Sequence, residues 1–245
     1  MRVVMLGATR GMGRALSRAL AERGESLHLP GRHADDLAKS AADLELRGAR
    51  APVTHGLCDL LRVDGFTDAL QEAERALGGL DCVIVTAAHF ASQEALEEDP
   101  ELRDQLLAAN FTHTVAFCEE ARSRLLAGGG GSLCVFSSVA GDRARKPVIL
   151  YGAAKAGLSH YLEGLDHKFR ARGLHTLLVK PGFVRTGMTA GLEPPPFAGE
   201  VDAAAARVLR ALDRRRPLVY VPAQWRLVMA VVRALPRALM RRLDF

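Results

Sequence analysis

The chain has 245 residues, of which 49% are hydrophobic and 25% are charged. This composition is that of an ordinary globular protein, and it excludes disordered, collagen-like and fibrous chains. Because α/β folds often reach this length as one domain, the length predicts a single domain with one large core.

Charge is distributed unevenly along the chain. The formal net charge is +5, yet residues 207–245, the basic tail, hold ten arginines against only Asp213 and Asp244. A basic end on a near-neutral body favours a partner or substrate that is met at one end, and it argues against nucleic acid as a partner. An arginine-rich face that is simply solvated is the alternative.

The cysteines predict neither a metal site nor a disulfide framework. Their spacing fits no zinc or redox motif, so Cys58, Cys82, Cys118 and Cys134 are expected to be reduced thiols in the core. No stretch approaches the roughly 18 apolar residues of a membrane span, and the first apolar run is too short for a signal peptide. A cytoplasmic location is therefore predicted.

Short apolar runs alternate with longer stretches of helical periodicity. In chain order, strands are predicted at 2–6, 26–29, 52–55, 81–86, 132–136, 175–180 and 218–221, and the helices between them at 11–24, 34–47, 63–77, 99–127, 149–172 and 201–214. Alternating strands and helices imply parallel pairing through right-handed crossovers. The predicted fold is an α/β doubly wound parallel sheet with helices on both faces.

The first strand-to-helix junction is rich in glycine. Glycines let a backbone turn tightly and approach a pyrophosphate, which then lies on the free amides at the helix start. Glycine-rich turns also occur without a ligand, but this position favours a dinucleotide and a Rossmann-type sheet. The predicted cofactor contacts in this loop are Gly7, Thr9, Arg10, Gly11, Met12 and Gly13.

The residues after the second strand favour NADP(H) over NAD(H). NAD-selective sites place an acidic residue there, whereas this chain has Arg32 and no acid before Asp35. Arg32, helped by Arg10, would pair with a 2′-phosphate through charge-assisted hydrogen bonds. The alternative is that Arg32 is only a solvated loop arginine.

Three residues form the most specific pattern in the chain. Tyr151 follows Ser138 by thirteen residues, and Lys155 lies four residues further on, on the same helical face as Tyr151. An ammonium beside a phenol favours the phenolate, which predicts a lowered pKa and an acid or base usable near neutral pH. Ser138 follows the fifth strand at its carboxyl end, where open α/β sheets bind ligands.

With these motifs, essentially the whole chain resembles the short-chain dehydrogenase/reductase family. The resemblance also covers Asp59, Asn110 and the run from Pro181 to Thr186. It implies that Asp59 holds the adenine, that Thr186 and the backbone near Val184 hold the nicotinamide carboxamide, and that Lys155 binds the nicotinamide ribose. Ser138 would orient the substrate carbonyl, Tyr151 would transfer the proton, and Asn110 would hold a water. Further cofactor contacts are expected at Leu60, Ala87, Tyr151, Pro181 and Gly182.

Two positions depart from the family pattern. The threonine before the first loop glycine is Leu6 here, and the asparagine-rich segment after the fourth strand reads Thr86-Ala87-Ala88-His89. These changes leave the catalytic set intact and affect the wall beside the nicotinamide. The resemblance also implies a homo-oligomer, a dimer or tetramer, with helices 99–127 and 149–172 at the interface.

A narrower similarity concerns the loop after Ser138 and the basic tail. Both resemble the branch that contains the decaprenylphosphoryl-2-keto-ribose reductases. Arg143, Arg145 and Lys146 lie on the loop that joins Ser138 to Tyr151, where cations would meet a phosphate. A solvated basic loop is the alternative.

The end of the basic tail is predicted to be amphipathic. Arg226, Arg233, Arg237 and Arg241 fall on one side of a helix, opposite Trp225, Val228, Val232, Leu235, Leu239 and Leu243. Pro236 should break this helix in two. The apolar side would lie at an anionic membrane. The alternative is that it closes the substrate pocket or packs against another subunit.

The sequence therefore predicts an NADPH-dependent reductase of ketones. A lipid-linked keto-sugar is the first substrate class, and 3-oxoacyl or other hydrophobic ketones are the second, because one catalytic set serves many carbonyls. An NADP(H)-binding interaction module without turnover is the alternative of another class. Residues 1–222 are predicted to form the catalytic domain, with 223–245 as a C-terminal extension of it.

Overall fold

A computed structural model describes residues 1–191 and 193–243 of the chain. Seven parallel strands form one sheet in the order β3-β2-β1-β4-β5-β6-β7. The strands are β1 (Arg2–Leu6), β2 (Ser26–Gly31), β3 (Arg50–Leu57), β4 (Cys82–Val85), β5 (Gly131–Phe136), β6 (Leu174–Pro181) and β7 (Leu218–Val221). The predicted doubly wound parallel sheet is confirmed.

Helices cover both faces of the sheet. They are α1 (Gly11–Ala21), α2 (Ala34–Leu46), α3 (Phe66–Leu77), α4 (Gln93–Glu98), α5 (Pro100–Leu107), α6 (His113–Ala127), α7 (Ile149–Phe169), α8 (Val201–Asp213), α9 (Trp225–Ala234) and α10 (Arg237–Met240). Because side chains alternate along a strand, Val3 and Met5 of β1 pack with α1, α2 and α8, whereas Val4 and Leu6 pack with α3, α6 and α7.

The predicted helix over 99–127 is helical from Pro100 to Ala127, but a π-helical turn interrupts its α-helical geometry. Asp99 caps α5 through its side chain, which accepts from the Leu102 amide at 3.0 Å, and a π-helical turn at Ala108–Thr112 separates α5 from α6. The helix α4, which the sequence prediction lacked, begins where the Ser92 hydroxyl accepts from the Ala95 amide. The predicted helices 63–77 and 149–172 each lose one turn to a 3₁₀ segment, at Val63–Gly65 and Arg170–Arg172.

The C-terminal helices confirm the predicted break, because Pro236 separates α9 from α10. On the predicted apolar side, Val232 is buried with Met229 against Val139 and Tyr220, whereas Leu239 remains exposed. The last two residues of the predicted extension, 244 and 245, lie outside the described residues. None of the helices described in this chain is long and apolar enough to cross a membrane.

The cysteines lie where the sequence predicts them. All four are free and buried, and burial raises the pKa of the Cys82 thiol to about 12 and that of Cys58 to about 11. Desolvation disfavours a thiolate, so these groups are packed as small apolar side chains.

A buried carboxylate ties the loop after β5 to the ends of β6 and β7. Asp142 accepts from the Lys180 ammonium and from the Tyr220 hydroxyl at 2.8 Å. The side chains of Asp142 and Lys180 are only 2% and 11% exposed. Because a buried charge is costly without its partner, this pair fixes the loop against the sheet.

Replacing Asp142 by alanine should therefore destabilise the protein strongly. The substitution leaves the Lys180 ammonium buried without a carboxylate, and we expect the free energy of unfolding in urea to fall by about 3–5 kcal/mol. Asp64→Ala is the control, because Asp64 pairs with Arg62 at 3.8 Å on the surface and should show no measurable change. Equal effects of the two substitutions would contradict the proposal that the Asp142–Lys180 pair fixes this loop to the sheet.

Candidate active site

The glycine-rich loop after β1 is closed by contacts that only glycine permits. Gly7 has a φ of 98°, and a Cβ on Gly13 would overlap the Gly7 carbonyl oxygen. The Thr86 hydroxyl lies 3.0 Å from that oxygen and 3.2 Å from the Leu6 carbonyl oxygen. The departure from the family pattern at Thr86 thus supplies a side chain that holds the loop.

The start of α1 has free backbone amides. Arg10 is the residue before the helix, and no side chain caps the first turn among the residues described. The first four amides of a helix have no partner within it, and together with the helix dipole they form an anion site. Gly11 places the same turn against Thr186, because a Cβ there would lie 3.7 Å from the Thr186 side chain.

The predicted adenine-side residues lie along the ends of β2 and β3. Arg32 directly follows β2 and is exposed. The Arg10 guanidinium is also exposed and lies 3.3 Å from the Asp36 carboxylate. Asp59 is half-buried and accepts from the Leu61 amide at 3.0 Å, while Leu60 is buried beside it.

Asn110 fixes the loop that follows β4. It lies fully buried in the π-helical turn. Its amide nitrogen donates to the His89 carbonyl at 2.6 Å, and its amide oxygen accepts from the His89 backbone amide at 3.1 Å. This two-way contact positions the segment that contains Ala87.

Ser138 and Tyr151 meet at the carboxyl end of β5. The Ser138 hydroxyl caps a 3₁₀ turn by accepting from the Ala140 amide at 3.1 Å, and it lies near enough to the Tyr151 hydroxyl to lower the pKa of that group. Tyr151 lies in the first turn of α7. The Phe90 ring packs against it edge to face, with 5.3 Å between the ring centroids.

Lys155 is buried beneath this pair. Its ammonium donates to the Phe136 carbonyl at 3.1 Å and lies 5.7 Å from the centroid of the Tyr151 ring. Burial lowers the pKa of Lys155 to about 8, since desolvation disfavours the charged form. The structure therefore brings Ser138, Tyr151 and Lys155 together, as the sequence predicts.

The predicted lowering of the Tyr151 pKa is not observed. Burial raises the pKa of Tyr151 to about 12, and the nearby Ser138 hydroxyl opposes that rise. At the observed distance from Lys155, desolvation of the phenolate is the larger effect. Tyr151 thus keeps its proton at neutral pH.

The segment after β6 forms the side of the candidate site nearest α9. The Gly182 amide donates to the Val221 carbonyl at 2.9 Å, Val184 is buried, and the Thr186 amide donates to the Thr189 hydroxyl at 3.0 Å. Pro181 is the last residue of β6.

Trp225, which the sequence predicts on the apolar side of the basic tail, packs against the segment after β6. A Cβ on Gly182 would overlap its indole ring, and its indole nitrogen donates to the Phe197 carbonyl at 3.1 Å. The signal in the sequence is its place on the predicted apolar side of the tail, for which closure of the substrate pocket is one of the alternatives.

Part of the predicted basic loop between Ser138 and Tyr151 binds other residues of the protein. Arg143 donates to the Leu235 carbonyl at 2.6 Å, which ties this loop to the C-terminal helices. Arg145 is half-buried, and its Nε has no hydrogen-bond partner among the described residues. Burial also lowers the pKa of Arg145.

The chain is similar to known oxidoreductases over nearly its whole length. It is 33% identical to an uncharacterized oxidoreductase of Mycobacterium tuberculosis over 98% of this chain and 96% of that protein. It is 34% identical to an uncharacterized oxidoreductase of Streptomyces coelicolor over 98% of this chain and 95% of that one. With carbonyl reductase family member 4 of Xenopus tropicalis it shares 28% identity over 77% of this chain and 78% of the relative.

A solved structure and a family model agree with these relatives. A short-chain type dehydrogenase/reductase from Mycobacterium ulcerans superposes with a TM-score of 0.84 at 22% identity, covering 98% of this chain and 97% of its own, which shows the shared fold. The family model for short chain dehydrogenase matches residues 1–196. The chain therefore belongs to the short-chain dehydrogenase/reductase family of oxidoreductases.

Proposed function

We propose that this protein is an NADPH-dependent reductase that converts a ketone to a secondary alcohol. The observation that carries the proposal is that Ser138, Tyr151 and the buried Lys155 ammonium come together at the end of β5, with the ammonium 5.7 Å from the centroid of the Tyr151 ring. This arrangement provides a proton donor, a group that orients an oxygen, and a positive charge in one place.

The residues around the glycine-rich loop fit a dinucleotide. The uncapped amides of α1 and the close approach of Gly7 to Gly13 leave a backbone surface suited to a pyrophosphate. Asp59 would hold the adenine and Lys155 the nicotinamide ribose, with Thr186 near the carboxamide. The bound cofactor supplies the hydride that reduces the carbonyl carbon.

The side chains complete the reduction by moving one proton. Tyr151, whose pKa is about 12, is protonated at neutral pH and donates its proton to the carbonyl oxygen. The Ser138 hydroxyl orients that oxygen. Lys155, whose pKa is about 8, carries its charge at neutral pH and stabilises the phenolate that remains.

The surroundings of Tyr151 favour a hydrophobic ketone. Phe90 packs on the Tyr151 ring, and Phe90 and Ile149 are both exposed apolar side chains. The half-buried Arg145, whose Nε lacks a partner in the described chain, favours a substrate with an anionic group, which makes a lipid-linked keto-sugar the first candidate. A 3-oxoacyl or other hydrophobic ketone is the second, and the name of the Xenopus relative, carbonyl reductase, supports carbonyl chemistry.

Other parts of the proposal rest on the sequence and, for the oligomer, on the family resemblance. We place the protein in the cytoplasm as a homo-oligomer, a dimer or tetramer, whose interface includes the exposed faces of α5, α6 and α7. Residues 1–222 form the catalytic domain and 223–245 extend it. A non-catalytic NADP(H)-binding module is the competing function. A variant that loses turnover but still binds NADPH would support the reductase over this module.

Tyr151→Phe should abolish most reductase activity without loss of NADPH binding. The substitution removes the proton donor, so we expect kcat to fall by about a hundredfold or more, measured by NADPH oxidation with a panel of hydrophobic ketones. Tyr161→Phe is the matched control on α7, because its hydroxyl donates to Glu119, and it should keep full activity. Equal rates for Tyr151→Phe and wild type would contradict the proposed role.

Arg32→Ala should weaken NADPH binding selectively. Loss of a charge-assisted contact to the 2′-phosphate predicts an NADPH dissociation constant about tenfold to a hundredfold higher, with NADH unchanged. Nicotinamide fluorescence titrations measure both values, with Arg75→Ala on the exposed side of α3 as the control. An equal effect on NADPH and NADH binding, or no effect on either, would show that Arg32 does not bind the 2′-phosphate.

A further inference from the structure

The helix α9 has two apolar faces, and only one of them packs on the protein. Val228, Met229 and Val232 point inward toward Val139 and Tyr220. On the opposite side, Leu227 and the apolar residues three, four and seven positions after it form what we call the outer face: Leu227, Ala230, Val231 and Ala234. Leu227 is 74% exposed and Val231 is 64% exposed.

Arginines border the outer face. Arg226 and Arg233 are seven residues apart and lie on one side of α9, next to Ala230. Arg237, Arg241 and Arg242 follow on α10 or just after it, and all five guanidinium groups belong to exposed residues. In the described part of the chain, none of them forms an ion pair with a carboxylate.

The charge of this segment decides between two occupants. Residues 214–243 contain eight arginines and no aspartate or glutamate. A second copy of the chain that docked through the same face would bring these arginines together, and repulsion between like charges opposes that contact. An anionic lipid surface supplies both the apolar environment and the opposite charge.

We propose that the outer face of α9 lies in the headgroup boundary of an anionic membrane. The helix has ten residues and is therefore about 15 Å long, half the thickness of a bilayer core. It would lie along the surface, with the arginine side chains reaching lipid phosphates while Leu227 and Val231 enter the boundary.

This contact would place the candidate site beside the membrane. Trp225, at the start of α9, packs on Gly182 and donates to the Phe197 carbonyl, so the inner side of the same helix forms part of the site wall. A hydrophobic substrate would thus pass between lipid and site over a short distance. The membrane contact itself does not depend on the proposed reductase activity.

Vesicle flotation of the full-length protein tests the proposal. We expect binding to vesicles of phosphatidylglycerol and phosphatidylcholine, weaker binding at high salt, and none to pure phosphatidylcholine. The double substitution Leu227→Gln with Val231→Gln should lower the partition coefficient by about tenfold or more. Leu46→Gln with Leu57→Gln is the matched control, because both side chains are exposed elsewhere, and it should bind as wild type does.

A second variant tests the charge contribution. Arg226→Gln with Arg237→Gln should lower partitioning by about thirtyfold, whereas Arg75→Gln with Arg103→Gln on α3 and α5 should not change it. Circular dichroism confirms that each variant is folded.

Three outcomes would overturn the proposal. These are no binding of wild type to anionic vesicles, equal losses in the control variants, and a change of oligomeric state in light scattering for Leu227→Gln with Val231→Gln while lipid binding is kept. The last outcome would assign the outer face to a second copy of the chain.

Discussion

The candidate site depends on one buried ammonium group. Lys155 is almost completely buried, and its charge lies against the Phe136 carbonyl rather than a carboxylate in the described chain. The Lys155 backbone carbonyl accepts from the hydroxyls of Ser137 and Ser159, each at 2.8 Å. The bond from Ser137, which follows β5, fixes the position of α7 along the end of that strand. Because Ser138 follows Ser137 and Tyr151 precedes Lys155 by one helical turn, this position also brings the two hydroxyls together.

Three tertiary contacts hold the loops around that centre. Asn110 fixes the loop after β4 by bonding both backbone groups of His89. Asp142 binds the loop after Ser138 to Lys180 and Tyr220. Trp225 joins the segment after β6 to α9. Each contact joins residues far apart in the chain, so the loops are positioned by the folded body and not by their own sequences.

The sequence predicts features that local periodicity and spacing determine. Alternating strands and helices define the sheet, and the spacing of Ser138, Tyr151 and Lys155 predicts their convergence. The π-helical turn at Asn110 is not predicted, since helical periodicity continues across it. The raised pKa of Tyr151 depends on burial, and the outer face of α9 becomes visible only when Met229 and Val232 are seen to pack inward. These properties arise from tertiary packing, which residue spacing does not report.

The most direct test of the proposed reaction follows the hydride itself. NADPH that carries deuterium at both positions on the nicotinamide C4 would be mixed with the protein and a panel of hydrophobic ketones and keto-sugar lipids. The products would then be analysed by mass spectrometry. We expect an alcohol with one deuterium on the carbinol carbon, formed by wild type and lost in Lys155→Met and in Tyr151→Phe. Tight NADPH binding with no deuterated alcohol from any ketone would contradict the proposed reaction and favour the non-catalytic module.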